Sequence, residues 1–269
     1  MFHRVTLRDG RAVWRSDLLQ GPVPRHAFTT RQFNIRSAGD VCDLAEAAGW
    51  GMLSDRRVRL SRQVHGNRVT VPHGHPGGDR PFCPIGDARW QLAAAADDDA
   101  ADAHVIDMPG HLLAVRTADC VPVLLSSADG RVVGAVHAGW RGLDPETNVI
   151  AVAVRRMHEL LLTRRSLALD LVAAIGPCIS GTRYEVGDEV AERFAERYPA
   201  AVATPPGRVK PHLDLRAVAV AQLREAGVAP KRIDVFPGCC FDQADDFFSY
   251  RREGIGVGHL AAVIMPRGG

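Results

Sequence analysis

Two histidines and one cysteine could bind a metal ion together, because each lies at or near the end of a predicted strand. They are His65, Cys120 and His137. Strand ends can converge in a folded sheet, so residues far apart in the chain can meet there. Two imidazoles and one thiolate suit a catalytic zinc site, where a fourth position stays open for water or substrate. The sequence offers no CxxC or HExxH motif to fix these ligands locally, so the prediction depends on convergence.

Each ligand candidate also has a simpler interpretation. A lone histidine such as His65 is more often a hydrogen-bonding residue, and a cysteine such as Cys120 is more often an inert small apolar residue. Without a metal, His137 could instead activate Cys120 as the nucleophile of a cysteine hydrolase. A structural zinc site would need a fourth ligand, for which Cys178, Cys239 and Cys240 are candidates.

An anion site is predicted next to the third ligand. Gly139, Trp140, Arg141 and Gly142 precede a helix that we predict to begin near Asp144 and Pro145. Backbone amides, the guanidinium and the helix dipole could together bind phosphate. The alternative is an ordinary glycine turn, with Trp140 in the core and Arg141 paired with a surface carboxylate.

Two carboxylates could support the centre. Asp119 could carry a proton, and Asp102 could orient a ligand histidine, although a solvated acid is an equal alternative for Asp102. The loops at residues 175–178 and 184–187 could contact substrate or simply form turns. A second metal site at His73, His75 and Cys83 is disfavoured because no predicted strand supports it.

The strands that must position these residues follow from alternation and turn signals. Asp9 and Gly10 predict a hairpin between residues 5–7 and 12–14. A further β pattern covers residues 58–64 and continues at 68–71. Residues 112–115, 121–125 and 132–136 are predicted to form the core sheet that carries Cys120 and His137, with a turn at Asp129 and Gly130. Other predicted strands cover residues 169–175, 233–236 and 260–265.

Helices are predicted from apolar periodicity and end signals. After the start at Asp144, residues 149–161 carry a helical stripe. Residues 188–198 form a helix that Pro199 stops, and Asp214 begins another that Gly227 ends.

Composition favours one compact domain, residues 1–269, that binds a small polar ligand. The chain has 269 residues, 46% of them hydrophobic, and its 33 basic residues nearly balance its 31 acidic ones. This balance argues against nucleic acid or an acidic membrane as a partner. Residues 72–103 are polar and rich in His, Pro, Gly and Asp, which predicts a surface excursion.

Intracellular, cytoplasmic location is expected, because the N-terminal residues lack the apolar segment of a secretion signal. The chain has 6 irregularly spaced cysteines, which do not resemble a disulfide framework, so reduced thiols are expected. We expect a monomer.

Several motifs in consistent order resemble a known family. They are Gln63-Val64-His65-Gly66, Ala101-Asp102-Ala103, Thr117-Ala118-Asp119-Cys120, His137-Ala138-Gly139-Trp140-Arg141-Gly142, Ile175-Gly176-Pro177, Tyr184-Glu185-Val186-Gly187 and Phe248-Ser249-Tyr250-Arg251-Arg252. Together they resemble the YfiH-type family, labelled in the past as multicopper polyphenol oxidase or laccase-like. The resemblance runs from about residue 28 to residue 264.

The resemblance implies a mixed α/β (α+β) fold with an internal β-sandwich of mixed sheets flanked by helices. It implies a zinc-dependent purine nucleoside phosphorylase that cleaves adenosine, inosine, guanosine or methylthioadenosine with phosphate and also deaminates adenosine. The implied zinc ligands are His65, Cys120 and His137. The candidate catalytic residues are Asp119 and Arg141, and the candidate phosphate or substrate contacts are Gln63, Gly139, Arg141 and Tyr184.

Some features depart from that family. The glycine-rich turn expected after Thr29-Thr30-Arg31 is replaced by Gln32-Phe33-Asn34, and a usual Thr-Gly-Arg is Val257-Gly258-His259. Copper is the alternative metal, in a copper-dependent polyphenol oxidoreductase. It is disfavoured because a multicopper site needs many paired histidines and the sequence has His73-Gly74-His75 as its one His-x-His pair. A non-catalytic protein that binds zinc or a nucleoside is the remaining alternative.

Overall fold

The computed structural model describes residues 1–19, 24–71, 100–165 and 169–268. The strands are β1 (Phe2–Thr6), β2 (Ala12–Ser16), β3 (Arg25–Thr29), β4 (Val58–Arg59), β5 (Val69–Thr70), β6 (Ala103–Ile106), β7 (Leu112–Thr117), β8 (Val121–Ser127), β9 (Val133–Ala138), β10 (Leu171–Ile175), β11 (Val202–Ala203), β12 (His212–Leu213), β13 (Ile233–Val235) and β14 (Leu260–Met265). The helices are α1 (Ala38–Ala47), α2 (Trp140–Leu143), α3 (Val149–Thr163), α4 (Asp188–Ala195), α5 (Leu215–Glu225) and α6 (Tyr250–Glu253).

The first sheet has the strand order β1-β2-β3-β14-β7-β4. Its first two strands form the predicted hairpin, in which Val5 pairs with Val13. Gly10 adopts a φ of 84° in the turn, a backbone conformation that glycine tolerates without steric cost. The hairpin prediction is confirmed.

The second sheet has the order β13-β10-β8-β9-β6-β5 and carries the candidate metal ligands near its strand ends. Strands β8 and β9 are antiparallel, and Pro122 pairs with His137. The predicted three-strand core sheet is wrong in one respect, because β7 pairs with β14 and β4 in the first sheet. A uniformly apolar strand indicates burial on both faces but does not indicate its partner.

The two sheets pack face to face. Phe28, Leu113 and Ile264 of the first sheet share one apolar cluster with Leu124 and Ala135 of the second. Helices α3 and α5 cover the outer face of the second sheet, and α1 covers the outer face of the first. The predicted mixed α/β fold with an internal β-sandwich flanked by helices is confirmed, whereas the assignment of residues 1–269 to a single domain stays a prediction.

One predicted helix start is wrong. Helix α3 begins at Val149, and the side chain of its N-cap Asn148 accepts a hydrogen bond from Ala151 N at 2.9 Å. The Asp144 carboxylate accepts a hydrogen bond from Glu146 N at 3.0 Å and forms an ion pair with Arg193, but the turn at Asp144 does not continue into α3. Asparagine and aspartate cap helices about equally well, so both positions were possible starts. The start of α5 after Asp214 is confirmed.

The predicted surface excursion does not extend to residue 103. Ala101, Asp102 and Ala103 are fully buried, because Ala103 begins β6 inside the second sheet. Residues 72–99, with His73, His75 and Cys83, lie outside the described residues. Strand β4 ends at Arg59, so the pattern predicted to reach residue 64 becomes a loop.

Among the described residues, we find no helix with the length and apolar character needed to cross a membrane.

Candidate metal centre

Three distant parts of the chain bring His65, Cys120 and His137 together. One ligand atom of each lies within 4.8 Å of the others. His65 lies in the loop after β4, Cys120 in the turn between β7 and β8, and His137 in β9. His65 is exposed, Cys120 is half-buried and His137 is buried. The group therefore has a protected side and a side that a substrate can reach.

Asp102 holds two of these ligands in place. Its Oδ1 accepts hydrogen bonds from His65 N at 2.9 Å and from His137 Nδ1 at 2.8 Å. Its Oδ2 accepts from Gly66 N at 2.8 Å. With Nδ1 donating to the carboxylate, His137 keeps Nε2 for a metal, which is the usual arrangement of a metal-binding histidine. Asp102 is fully buried, so its alternative as a solvated acid is wrong.

Gly139 lies so close to two of the candidate ligands that a side chain would collide with them. A Cβ at this position would lie 2.9 Å from His65 Cδ2 and 3.1 Å from Cys120 Sγ. Its φ of −77° suits any residue, so the requirement is close approach and not an unusual backbone conformation. One turn later, a Cβ on Gly142 would lie 3.2 Å from the carbonyl oxygen of Gly66. Helix α2 can pack against the His65 loop because both positions are glycine.

The electrostatics favour a thiolate at Cys120. Burial raises the pKa of the thiol, but His137 and His65 outweigh it and lower the pKa to about 6. Burial lowers the pKa of His137, but Cys120 and Asp102 raise it to about 9. Two imidazoles, one thiolate and a carboxylate behind one imidazole form a donor set that fits a divalent metal ion with an open position.

Asp119 directly precedes Cys120 in the chain, and its carboxylate accepts fewer hydrogen bonds among the described residues than that of Asp102. Its Oδ2 accepts a hydrogen bond from Arg251 N at 2.6 Å. Its Oδ1 is buried and has no hydrogen-bond partner in the part of the chain that the structure describes. Burial raises the pKa of this carboxyl, and the contacts with Arg251 and Ser249 offset the effect only in part. Asp119 thus keeps one acceptor free beside the candidate metal ligands.

The remaining predicted contacts have varied surroundings. Gln63 uses both ends of its amide on the backbone of Arg116, with two hydrogen bonds of 2.7 Å. The guanidinium of Arg141 lies 4.4 Å from the ring centroid of Trp140 and is exposed. It lies within the short helix α2, whereas the sequence predicted a turn at this position before a helix that begins near Pro145; the next helix begins at Val149.

Tyr184 is half-buried near the centre. Burial raises the pKa of its phenol to about 12, with a further increase from the charge on Cys120. The guanidinium of Arg251 lies 5.0 Å from the Tyr184 ring centroid. The sequence pattern assigned no role to Arg251, although this residue stands in the last motif of the family resemblance. Its position beside Asp119 depends on a contact between residues far apart in the chain.

Cys178, Cys239 and Cys240 lie outside the ligand group. Burial raises the pKa of Cys178 to about 11 and also raises the pKa of Cys240 well above its ordinary value, which disfavours both thiolates. The described residues therefore do not complete a closed four-ligand site with these cysteines.

The fold and the site together define a β-sandwich protein with a three-residue group near its strand ends that could hold a metal ion. Residues 42–267 match the family model described as multi-copper polyphenol oxidoreductase laccase. The chain belongs to this family, which confirms the YfiH-type resemblance.

Two similar proteins carry the names of nucleoside enzymes. The chain is 36% identical to a protein from Deinococcus radiodurans named purine nucleoside phosphorylase, over 93% of both chains. It is 34% identical to a protein from an unknown prokaryotic organism named adenosine deaminase RL5, over 74% of this chain and 71% of the relative.

Solved structures confirm the fold. YlmD from Geobacillus stearothermophilus superposes with a TM-score of 0.74 at 24% identity, over 99% of this chain and 100% of YlmD. The Bacillus licheniformis hypothetical protein YfiH gives a TM-score of 0.70 at 23% identity, over 92% and 98%.

Proposed function

We propose that this protein is a zinc-dependent purine nucleoside phosphorylase that also deaminates adenosine. Its substrates would be adenosine, inosine, guanosine or methylthioadenosine, together with inorganic phosphate. The observation that carries the proposal is the open group of His65, Cys120 and His137 in a chain that resembles a named phosphorylase over nearly its whole length. Cytoplasmic location and a monomeric state remain predictions.

In this proposal His65, Cys120 and His137 hold zinc, and Asp102 fixes the orientation of His137. Zinc bound there would supply a Lewis acid beside the purine. Exposed Arg141 would bind phosphate by charge-assisted hydrogen bonds, and Gly139 would leave room for the ligands. Gln63 would shape the edge of the site by fixing the backbone at Arg116.

Phosphorolysis needs a nucleophile and a proton. A phosphate oxygen forms a bond to the anomeric carbon of the ribose while the bond from that carbon to the purine nitrogen breaks. The electron pair leaves with the purine, which then takes up a proton. We assign this proton transfer to Asp119, because burial raises its pKa and Oδ1 is free of other hydrogen bonds in the described chain. In deamination, water adds to the purine carbon that carries the amine, and ammonia leaves.

Chromatographic product analysis of purified protein, with its metal content measured, tests the proposal. We expect adenine from adenosine only with phosphate, inosine without phosphate, and loss of both products in His65→Ala. His158→Ala is the matched control, since this ring lies in α3 and contacts the Leu169 carbonyl. No product from the zinc-loaded wild type would refute the proposal.

A cysteine hydrolase is the second candidate, supported by the low pKa of Cys120 beside His137. It predicts activity that resists chelators and is lost on alkylation of Cys120. Activity that disappears on zinc removal and returns on zinc addition argues against it. Metal analysis and visible absorbance test the copper alternative. The non-catalytic alternative predicts nucleoside binding without any product.

A further inference from the structure

Two arginines beside the metal centre have no carboxylate partner. Arg141 and Arg251 are both exposed, and neither guanidinium forms an ion pair with a carboxylate within the described ranges. Each lies against an aromatic ring, Trp140 or Tyr184, at 4.4 and 5.0 Å from the centroid. The charges of both arginines therefore remain available to an anion from solution.

Arginines elsewhere in the chain show the contrast. Arg197 also lies near a tyrosine ring, 5.9 Å from the centroid of Tyr198, but it forms an ion pair with Glu225 at 2.9 Å. Arg183 lies 5.3 Å from the Phe241 ring centroid and pairs with Asp242 at 2.7 Å. Contact with a ring is thus compatible with a carboxylate partner in this protein, whereas Arg141 and Arg251 have no such partner among the described residues.

Arg251 is tied to the metal centre by its backbone. Its N–H donates to Oδ2 of Asp119 at 2.6 Å, and Asp119 directly precedes Cys120. Its Nη1 donates to the carbonyl oxygen of Glu185 at 2.9 Å, which uses one of the five N–H groups of the guanidinium. The side chain is therefore held in place while most of its donors stay free.

Both arginines approach the centre beside Cys120. Arg251 lies 5.0 Å from the ring centroid of Tyr184 and contacts Asp119, which precedes Cys120. Burial has the largest effect on the pKa of the Tyr184 phenol, and the charges of Cys120, Arg251, Asp119 and Arg141 also act on it. Arg141 approaches from α2, whose N-cap Gly139 packs against His65 and Cys120, while Arg251 approaches from α6.

We propose that Arg251 is a second phosphate-binding residue, which acts with Arg141 beside the ring of Tyr184. The inference rests on the proposed function and deepens it. A phosphate dianion is bound well by two guanidinium groups, because each presents parallel donors to its oxygens. Stacking on Tyr184 limits the rotamers of Arg251 before phosphate arrives, so less entropy is lost on binding.

Kinetics of Arg251→Met and Arg251→Lys, both zinc-loaded, test the proposal. We expect Arg251→Met to raise the KM for phosphate roughly 10- to 100-fold, the scale of one hydrogen bond to a charged group. Arg251→Lys should raise it less, because it keeps the charge without the paired donors. The kcat/KM for phosphate-independent deamination of adenosine should fall much less than the kcat/KM for phosphorolysis in both variants, because no phosphate takes part in deamination.

Calorimetric titration with inorganic phosphate provides a readout apart from turnover. The Kd for phosphate should rise in Arg251→Met in parallel with its KM, in zinc-loaded and in metal-free protein. Arg197→Ala is the matched control and should leave the phosphate Kd unchanged, because Arg197 is an arginine near a tyrosine that already has a carboxylate partner.

Several outcomes would overturn the inference. An unchanged phosphate KM and Kd in Arg251→Met would do so. A parallel fall in deamination would assign Arg251 a structural role instead. If the wild type binds phosphate through Arg251 but forms no adenine, the inference stands and the proposed phosphorylase activity fails. If phosphate binding is also independent of Arg251, both fail.

Discussion

Asp102 contacts the candidate ligand His137, and Asp119 directly precedes the candidate ligand Cys120; both carboxylates are buried, yet their surroundings differ. Burial would raise the pKa of Asp102, but hydrogen bonds from His137, Gly66 and His65 lower it overall. Burial raises the pKa of Asp119, and its fewer donors do not reverse the effect. The comparison teaches that the number of donors around a buried carboxylate, and not burial alone, decides which form the fold favours.

The backbone shows a similar contrast. His65 and Asp119 both have positive φ angles, 59° and 97°, which are uncommon for residues other than glycine. The unfavourable backbone conformation at His65 is stabilised because the amides of Val64, His65 and Gly66 all donate to Asp102. Asp119 itself occupies the unusual conformation, and its Oδ1 has no hydrogen-bond partner among the described residues. We infer that the Asp102 side is the scaffold and the Asp119 side is the reactive one.

Removal of the Asp102 carboxylate should have the largest effect. Asp102→Ala would leave three backbone amides and the His137 ring without their acceptor. We expect the free energy of unfolding to fall by about 3–5 kcal/mol, as for other broken buried ionic contacts, and zinc to be lost. Urea unfolding and metal analysis measure both effects.

Asp170→Ala is the control, because Asp170 pairs with Arg232 at the surface and its loss should cost less than about 1 kcal/mol. If Asp102→Ala were equally mild and retained zinc, Asp102 would not be a scaffold.

Asp119→Asn should reduce turnover while it preserves the structure. Asparagine keeps an acceptor for Arg251 N and tolerates a positive φ, but it cannot transfer a proton. We expect normal zinc content and a decrease in kcat of about 10²- to 10⁴-fold, the usual contribution of an acid or base group. Steady-state phosphorolysis of inosine measures the change. Undiminished turnover would exclude Asp119 as the proton donor.

Gly139→Ala should weaken zinc binding through steric contact alone. The added methyl group meets His65 and Cys120 at less than normal contact distance, so we expect zinc affinity to fall roughly 10- to 100-fold. Competition with a chromogenic chelator measures this affinity. Gly39→Ala in α1 is the control, because its Cβ meets only Ser37 Oγ at 3.5 Å. Equal zinc affinity in both variants would contradict the packing argument.

The smallest effect should appear in the pH dependence of metal-free protein. The pKa of Asp102 lies below 3.8 in the folded state, so its stabilisation is present above pH 3.8 and is lost only as the pH falls through that lower pKa. The pKa of Asp119 lies above 3.8, so the folded state holds a proton that the unfolded state has lost. The stability from that proton decreases as the pH rises from 3.8 through the folded-state pKa.

Relative to the wild type, Asp119→Asn should therefore gain stability as the pH rises above 3.8. Asp102→Asn should be less stable by a constant amount between about pH 4 and pH 6, below the range in which Cys120 and His137, with pKa values of about 6 and about 9, change their charge. Urea unfolding between about pH 4 and pH 6 measures both trends. The same trend in both variants would mean that the two carboxylates do not differ as the structure indicates.

Local patterns were sufficient for much of the fold. The hairpin at Asp9 and Gly10 and the start of α5 after Asp214 were predicted, because turn and capping residues act on their immediate neighbours. The predicted start of α3 was wrong, because Asn148 and not Asp144 caps this helix and both residue types are favourable caps. The predicted sheet for β7 was wrong, because strand pairing depends on contacts between residues distant in sequence.

The sequence by itself determined the candidate ligands, since only a few residue types bind metal ions and His65, Cys120 and His137 stand at predicted strand ends. Only the tertiary structure decided that they converge, that Asp102 is buried behind them and that Arg251 lies beside Asp119. The physical reason is that donor chemistry is a property of each residue, whereas distance, burial and the supply of hydrogen-bond donors arise from contacts between distant parts of the chain.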